Sequence, residues 1–194
     1  MSDYLQFLAG FLRKPWAVGA VAPSSERLAL EVVRHCRLRE AVTVVELGAG
    51  TGAITRVILD HVRPGTKVIL VELDAIHAAR LKQRFPQATV CHDSAENLRD
   101  ILRRQGCHGA DVVVSGLPWA SIGESRRDWI MTEILASLTP TGRLCGFGYV
   151  HATWHPAIRA FHHKLRSSFA MVRISPVVWG NLPPAFAYTL AGPC

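Results

Sequence analysis

Hydrophobic positions follow two different spacings along this chain. Short runs rich in β-branched residues, such as Val42–Leu47, are typical of buried strands. Between such runs, apolar residues recur every three or four positions. In Ala75–Phe85 this spacing predicts a helix with Ile76, Ala79 and Leu81 facing inward. The pattern therefore predicts strands that alternate with helices.

The same pattern divides most of the chain into elements. Strands are predicted at Val42–Leu47, Lys67–Glu72, Ala88–Cys91, Ala110–Ser115, Arg143–Val150, Met171–Val178 and Ala185–Leu190. Helices are predicted from near Gly52 and at Ala75–Phe85, Ser94–Arg104, Arg126–Leu138 and His155–Ser168. The sequence between the last two strands, WGNLPP, is rich in turn-forming residues and predicts a hairpin.

This order of elements predicts one α/β domain over residues 1–194. Right-handed crossovers between the strands give a mostly parallel sheet with helices on both faces. Five βα units followed by a β-hairpin are the element order of class I methyltransferases. We therefore expect a Rossmann-like, seven-stranded sheet with an antiparallel C-terminal hairpin. Residues 1–23 precede a core predicted to span 24–194.

Composition limits the class of protein. The 194 residues, 49% hydrophobic and 19% charged, suit one soluble globular domain. No apolar run reaches the roughly 18 residues that a membrane span needs, so we expect a cytoplasmic protein with at most peripheral membrane contact. The five cysteines are scattered and never in CxxC spacing, which predicts reduced thiols.

The formal net charge of +7 narrows the choice of partner. A basic protein is attracted to nucleic acid or to an anionic lipid surface, and charge alone does not distinguish them. The basic stretches Arg126-Arg127 and His162–Arg166 are predicted to lie on such a surface or on solvated helix faces. The histidines have no acidic partner at metal-ligand spacing, so no metal site is predicted.

A glycine-rich turn follows the first predicted strand. Gly48, Gly50 and Gly52, with Thr51 between them, allow a tight turn and a close approach of the backbone to a ligand. Their G-x-G-x-G spacing differs from the G-x-G-x-x-G fingerprint that prepares a helix N-terminus for a pyrophosphate. Glu46, at the end of the strand, is suited to a ligand that carries an ammonium group. Together these residues predict a site for S-adenosylmethionine.

Acidic residues at the ends of the next two strands complete the predicted cofactor site. Glu72 is placed to accept hydrogen bonds from both ribose hydroxyls, with Leu73 beside it. Asp93 is placed to accept the adenine amino group, and the backbone of Ser94 and Ala95 to meet the ring edge. The alternative is that Asp93 only caps the following helix.

Four sequence blocks give the chain a family resemblance that covers nearly its whole length. It resembles the bacterial phospholipid N-methyltransferases, which convert phosphatidylethanolamine towards phosphatidylcholine. The blocks are FLRKPWAVGAVAPSS at Phe11–Ser25, VELGAGTG at Val45–Gly52, SGLP at Ser115–Pro118, and NLPPAFAY at Asn181–Tyr188. The resemblance implies S-adenosylmethionine as cofactor and a lipid amine as acceptor. We also expect Ser24 and Ser25 at the cofactor site.

The acceptor is expected at the end of the fourth strand. Its amine would attack the sulfonium methyl group in line, so catalysis should rest mainly on positioning and desolvation. Ser115, which also borders the cofactor, and the carbonyl groups of Gly116 and Leu117 are candidates to orient the amine. Tyr4 is a candidate lid or proton acceptor. The sequence offers no strong base.

The family is also similar to the rRNA adenine dimethylases, which leaves a second interpretation open. Those enzymes carry an Asn-Leu-Pro-Tyr type of motif where this chain has SGLPW at Ser115–Trp119. Trp119 is a candidate to stack on a flipped base, whereas Gly116 lacks the amide that would hold an exocyclic amine. A soluble small amine or an ornithine-type lipid remains a further possible acceptor.

Residues 3–14 are a candidate membrane contact. On a helix, Tyr4, Phe7, Leu8 and Phe11 share one face, and two basic residues follow them. Aromatic side chains beside basic ones are typical of a helix that lies among lipid headgroups. The alternative is that this helix packs on its own sheet. The oligomeric state is left open by the sequence.

Overall fold

The computed structural model describes residues 25–193. Its strands are β1 Thr43–Leu47, β2 Lys67–Glu72, β3 Thr89–His92, β4 Ala110–Ser115, β5 Leu138–Tyr149, β6 Phe169–Ile174 and β7 Ala185–Pro193. Its helices are α1 Glu26–Val33, α2 Ala53–His61, α3 Ala75–Arg84, α4 Leu98–Arg104, α5 Glu124–Ser137 and α6 Pro156–Ser167. Three short 3-10 turns lie at Ala95–Asn97, Trp119–Ser121 and Val150–Trp154.

The strands form one sheet in the order β3-β2-β1-β4-β5-β7-β6. The first five strands in that order run parallel, and β7 runs antiparallel to both of its neighbours. The predicted seven-stranded, Rossmann-like methyltransferase sheet is therefore confirmed. The chain builds outward through β1, β2 and β3, then crosses to the other side of β1 as β4. Ligands of open α/β sheets bind at such a reversal.

Helices cover both faces of the sheet because its central strands are apolar on both sides. All five residues of β1 are buried. Val44 belongs to the core beneath α1 and α2, whereas Val45 and Leu47 belong to the core beneath α4, α5 and α6. A strand buried on both faces reads as a largely apolar run, and β1 has Glu46 as its only charged residue, which is why the sequence identified it directly.

The boundary between α5 and β5 differs from the prediction. The helix begins at Glu124, and the strand begins at Leu138 instead of Arg143. Pro140 lies inside β5, where the sequence predicted a break. It is exposed, and the pairing of β4 with β5 shifts register next to it, between Ala110 and Val112. Proline has no N–H to donate and is tolerated at such irregular positions.

The C-terminal hairpin is confirmed with different limits. Strand β6 ends at Ile174, and Val178, predicted as its last residue, makes only a single bridge to Ala185. Pro176 separates the two, since a proline disrupts the ladder of hydrogen bonds. The predicted helix Ser94–Arg104 is also divided, into a 3-10 turn and α4.

The prediction that all cysteines are reduced is wrong for one pair. Cys36, just after α1, and Cys145 in β5 are joined as a disulfide, with their Cα atoms 6.4 Å apart. They are separated by 109 positions in sequence, so a search for short cysteine spacings does not detect them. Cys91 and Cys107 are free thiols.

Two sequence predictions fall outside the described residues: the helix at 3–14, with Tyr4, and the cofactor contact of Ser24. Between residues 25 and 193, no helix combines the length and apolarity needed to cross a bilayer.

The packing of Gly52, at the start of α2, can be tested by substitution. Its φ of +80° is a left-handed conformation, and a Cβ added there would overlap the ring of Phe85. We expect Gly52→Ala to lower the free energy of unfolding in urea by roughly 2–4 kcal/mol, since backbone strain and overpacking add. Gly50→Ala is the control, because Gly50 has a φ of +55° but open space around it. Equal losses in the two variants would contradict the packing role of Gly52.

Candidate functional site

The glycine turn after β1 is held between the ends of two neighbouring strands. The Gly48 N–H donates to the Val71 carbonyl of β2 at 2.8 Å. On the other side, the Gly116 N–H donates to the Leu47 carbonyl at 2.8 Å. The carboxyl ends of β1, β2 and β4 therefore meet at the turn, as the sequence predicted.

Glu72 joins the glycine turn to the end of β2. Its carboxylate is buried; one oxygen accepts from the Gly50 N–H at 2.7 Å and the other from the Asp74 N–H at 2.8 Å. A carboxylate has about four acceptor positions, so each oxygen keeps one. Two adjacent acceptors suit a pair of hydroxyl groups, and this arrangement fits the predicted contact with a ribose.

Glu46 lies beneath the same turn and is 1% exposed. It accepts a hydrogen bond of 2.6 Å from the Thr55 hydroxyl. Burial raises the pKa of Glu46 to about 8; the Thr55 hydrogen bond opposes this rise, and the nearby charge of Glu72 adds to it. A cationic ligand next to these two buried carboxyl groups would favour the ionised form of Glu46, and the ammonium and sulfonium groups of S-adenosylmethionine are such cations.

The Asp93 carboxylate accepts more hydrogen bonds from within the protein than the sequence predicted. Its carboxylate accepts from the Ser94 N–H at 2.8 Å, the Asn97 amide at 2.7 Å and the Arg104 guanidinium at 2.5 Å. Partial burial opposes ionisation, but these hydrogen bonds outweigh it and lower the pKa of Asp93. One acceptor position remains, so its contact with adenine stays a prediction. Ala95 is buried beside it.

Two other predicted cofactor residues use backbone groups within the protein. The Thr51 carbonyl accepts from Arg84 at 2.9 Å, and the Leu73 carbonyl lies 3.1 Å from the His92 ring. These bonds fix the edges of the two loops.

Ser25 connects two distant parts of the sequence. Its hydroxyl caps α1 by accepting from the Leu28 N–H at 3.2 Å, and its own N–H donates to the Asn181 side chain at 2.9 Å. Asn181 is buried and also donates to the Pro183 carbonyl at 2.8 Å. The first and last of the four blocks behind the family resemblance therefore meet. The sequence did not identify Asn181 as the contact.

A cavity of about 220 Å³ opens beside the glycine turn, between the ends of β4 and β5. Gly116 and Leu117 line it, so two of the predicted acceptor residues are part of its wall. Ser115 is buried next to them, and its hydroxyl accepts from the Leu117 N–H at 3.4 Å. Their roles in orienting an amine stay predictions.

The other wall of the cavity is aromatic, and the sequence analysis missed it. The ring of Tyr149 meets Phe147 edge-on at 5.6 Å and stacks on His151 at 5.7 Å. His162 of α6 also lines the cavity. The signal was partly present: Phe147 and Tyr149 are two apart at the end of β5, where such side chains share one face of a strand. His151 follows in the 3-10 turn.

The ionisable groups of this acceptor cavity favour neutral forms. Burial, with the charge of Arg166, lowers the pKa of His162. Burial raises the pKa of Tyr149. No carboxylate or lysine lines the cavity within the described part of the chain.

The aromatic and glycine residues of the SGLPW segment have structural roles. A Cβ on Gly116 would lie 2.6 Å from the Gly48 carbonyl oxygen, so this backbone leaves no room for asparagine there. Trp119 is buried and packs against Phe161 with ring centroids 4.9 Å apart. Burial raises the pKa of the neighbouring Tyr188.

The prediction that Arg126 and Arg127 form a surface pair is wrong for Arg127. That residue is buried; it donates to the Trp119 carbonyl at 3.3 Å and its guanidinium lies over the ring of Phe161. Arg126 pairs with Glu96 at 2.5 Å.

The sheet, the glycine turn and the buried carboxylates define a class I S-adenosylmethionine-dependent methyltransferase. The profile of the family described as "Putative S-adenosyl-L-methionine-dependent methyltransferase" matches residues 27–179. The chain belongs to this family. Among residues 25–193, no cluster of three or more potential metal ligands occurs.

Two relatives differ in how much of the chain they match. Ornithine lipid N-methyltransferase from Singulisphaera acidiphila is 34% identical over 195 residues, which cover 99% of this chain and 97% of that protein. Ribosomal RNA small subunit methyltransferase A from Thermotoga petrophila is 29% identical over 123 residues, 63% of this chain and 44% of that protein.

Solved structures of methyltransferases share the fold. The O-methyltransferase TomG from Streptomyces achromogenes, in complex with S-adenosylmethionine, has a TM-score of 0.66 at 17% identity, covering 98% of this chain and 91% of that chain. An O-methyltransferase from Bacillus cereus, in complex with S-adenosylhomocysteine, has a TM-score of 0.66 at 12% identity with the same coverage. At these identities the likeness shows the fold alone.

The raised pKa of Glu46 predicts a pH dependence of stability. Between its model-peptide value of 4.5 and about 8, the folded chain holds this proton and the unfolded chain releases it. The free energy of unfolding without cofactor should therefore fall as pH rises through this range.

We expect Glu46→Gln to reduce the loss of stability between pH 5.5 and 7.5, measured in urea, by roughly 1–2 kcal/mol. Glu40→Gln makes the same charge change at an exposed position and is the control. An unchanged pH dependence in Glu46→Gln would contradict the assignment.

Proposed function

We propose that this protein transfers methyl groups from S-adenosylmethionine to the amine of a membrane-lipid headgroup. An ornithine-type lipid is the first candidate acceptor, because the relative that matches almost the whole chain is an ornithine lipid N-methyltransferase. Phosphatidylethanolamine is the second, on the strength of the four sequence blocks. Both offer a primary amine.

The observation that carries this proposal is the chemistry of the acceptor cavity. One wall is formed by Phe147, Tyr149 and His151, and among residues 25–193 no Asp, Glu, Lys or Arg side chain lines it. Aromatic faces attract ammonium and methylated ammonium groups through cation–π interactions. Such a wall accepts an amine and its methylated products without requiring a carboxylate.

His162 supplies the proton acceptor that the sequence did not reveal. It lines the cavity and is half-buried, and its lowered pKa keeps the ring neutral near pH 7. A neutral imidazole can accept the proton of an incoming ammonium group. It also places no positive charge against that group. Gly116 and Leu117 then hold the free amine on the side of the glycine turn.

The bound cofactor would supply the activated methyl group. Glu72 and the Gly50 turn would hold its ribose, and Glu46 its methionine half. The contacts of these residues within the protein fix them before the ligand arrives, so little reorganisation accompanies binding.

Two observations disfavour RNA adenine as the acceptor. Gly116 lies too close to the Gly48 carbonyl to be replaced by the asparagine of the rRNA dimethylase motif. Trp119 is packed against Phe161, so its ring is not available to stack on a base. The matched segment is also only 44% of the rRNA methyltransferase. We place the enzyme peripherally on the inner face of the cytoplasmic membrane, where lipid amines and S-adenosylmethionine meet.

Methylation of vesicles tests the function directly. Purified protein with methyl-labelled S-adenosylmethionine should label vesicles that contain an ornithine lipid more strongly than vesicles that contain phosphatidylethanolamine. Chromatography of the lipids gives the number of methyl groups added. Free ornithine and adenine-containing RNA are the controls.

If RNA becomes labelled and the lipids do not, the result would contradict the proposal. Label in free ornithine alone would make the acceptor a soluble amine. Preference for phosphatidylethanolamine would keep the reaction class and reverse the order of the two lipids.

The role of His162 has a separate test. We expect His162→Gln to lower kcat at pH 7 by roughly 100-fold, with little change in the affinity for S-adenosylmethionine. In the wild type, kcat should fall as pH drops below the lowered pKa of His162, and this limb should disappear in the variant. His163→Gln, at an exposed neighbouring position, is the control. A variant that keeps the wild-type kcat and pH profile would exclude His162 as the proton acceptor.

A further inference from the structure

The most exposed large hydrophobic side chains of the described residues lie at one edge of the sheet. Trp154 is 81% exposed, Trp179 is 72% and Leu182 is 67%. Ile174, 48% exposed, ends β6 at the same edge. Single exposed apolar residues are ordinary, but a group of large ones at one place marks an interaction site.

Hydrogen bonds hold the two segments that carry these side chains next to each other. Trp154 ends the 3-10 turn after β5, and the first residue of that turn, Val150, donates its N–H to the Pro184 carbonyl at 3.0 Å. Pro184 closes the loop that carries Trp179 and Leu182. The buried Asn181 ties this loop to Ser25 and Pro183. The loop is therefore fixed from within while its apolar side chains face outward.

Trp154 and Ile174 lie close to the acceptor cavity. Two residues that line the cavity, His151 and Ala152, lie just before Trp154 in the same turn. A second, largely apolar groove of about 210 Å³ runs between α6 and the β6–β7 hairpin, lined by Thr153 and Ile174 among others. His162 lines both the cavity and the groove. A partner on this edge would face the acceptor site directly.

The charge of the surrounding chain shows what kind of partner fits. All 15 acidic residues precede Ile134, whereas Arg143, Arg159, Lys164, Arg166 and Arg173 follow it. Helix α6 begins two residues after Trp154 and exposes Arg159, His163 and Arg166, which lie three or four positions apart on its outer side. Exposed tryptophan beside basic groups is the composition that binds an anionic bilayer surface.

We propose that Trp154, Ile174, Trp179 and Leu182 form a docking surface that enters the headgroup region of an anionic bilayer and opens the acceptor cavity onto it. This inference rests on the proposed lipid acceptor for its purpose. Its binding step is independent of methylation. It assigns membrane contact to the folded domain, in addition to the contact predicted for residues 3–14.

Vesicle binding by the full-length protein tests the surface. The triple variant Trp154→Ala, Trp179→Ala, Leu182→Ser should bind vesicles that contain phosphatidylglycerol roughly tenfold or more weakly than the wild type. Trp129→Ala removes a half-exposed tryptophan from α5 and should bind as the wild type does. Thermal unfolding and S-adenosylmethionine affinity check that each variant is folded.

A second measurement does not depend on the triple variant folding. Brominated lipids quench tryptophan that lies within a bilayer, so wild-type fluorescence should fall in anionic vesicles. Trp154→Phe and Trp179→Phe should each lose part of that quenching, and Trp129→Phe should lose none. Vesicles of phosphatidylcholine alone should bind more weakly than anionic ones, because the basic groups gain no attraction there.

Several results would overturn the surface. If the triple variant binds vesicles as tightly as the wild type, the docking surface is wrong. If deletion of residues 1–12 then abolishes binding, the N-terminal segment alone is the contact. Loss of self-association in the triple variant, with vesicle binding unchanged, would make a second copy of the chain the occupant.

The docking surface and the proposed function fail in different ways. If the triple variant loses vesicle binding but no lipid is ever methylated, the docking surface stands and the proposed function fails. If the wild type methylates lipid in detergent micelles yet the triple variant methylates and binds vesicles equally well, the function stands and the docking surface fails.

Discussion

The close approach of two backbones, at Gly48 and Gly116, sets the geometry of the whole site. The Gly116 N–H donates a hydrogen bond to the Leu47 carbonyl at the end of β1. The Cα of Gly116 has no space for a side chain, because the Gly48 carbonyl lies against it. Because of this contact, the turn that would hold the cofactor and the wall of the acceptor cavity share one boundary. A methyl group moves only a short distance between donor and acceptor, so reactants held on either side of such a boundary need little further alignment. In the proposed function, the carboxyl groups beneath the turn then need only hold the donor in place. Hydrogen bonds from the Gly50 N–H to Glu72 and from the Thr55 hydroxyl to Glu46 fix these two side chains.

The sequence predicted the parts of this arrangement that have a local signature. Strand β1 is buried on both faces and reads as a largely apolar, β-branched run that ends with Glu46 and Leu47, and the glycines after it mark the turn. Glu72 is recognisable because strand ends meet at one edge in a parallel sheet. Limits of elements were predicted less well where tertiary pairing overrides local preference. Pro140 is an example: it suggested a break, yet an irregular register accommodates it inside β5. The cysteine pair also depends on contacts 109 positions apart.

The part of the site that the sequence did not predict is the aromatic wall of the acceptor cavity. Phe147 and Tyr149 look like ordinary core residues of a strand, and His162 looks like one of several basic residues on a helix. They share a cavity because α6 packs beside the end of β5 in the folded chain. The sequence also assigned Asp93 a ligand role without showing that Arg104 and Asn97 reach it. A single sequence shows which groups are present, and only the packing of distant elements shows which of them remain available.

Polarity and charge are distributed unevenly over the molecule, and this distribution fits the proposed transfer from a soluble donor to an amphiphilic acceptor. The carboxylates of the cofactor site belong to the first half of the sheet, where β1 and β2 end. The second half, from β5 onward, contains no acidic residue and carries the aromatic cavity, the basic face of α6 and the exposed tryptophans. Ser25 and Asn181 join the two halves across 156 positions of sequence. Since Asn181 also fixes the loop with Trp179 and Leu182, one buried amide links the start of α1 to the edge that carries the proposed docking surface.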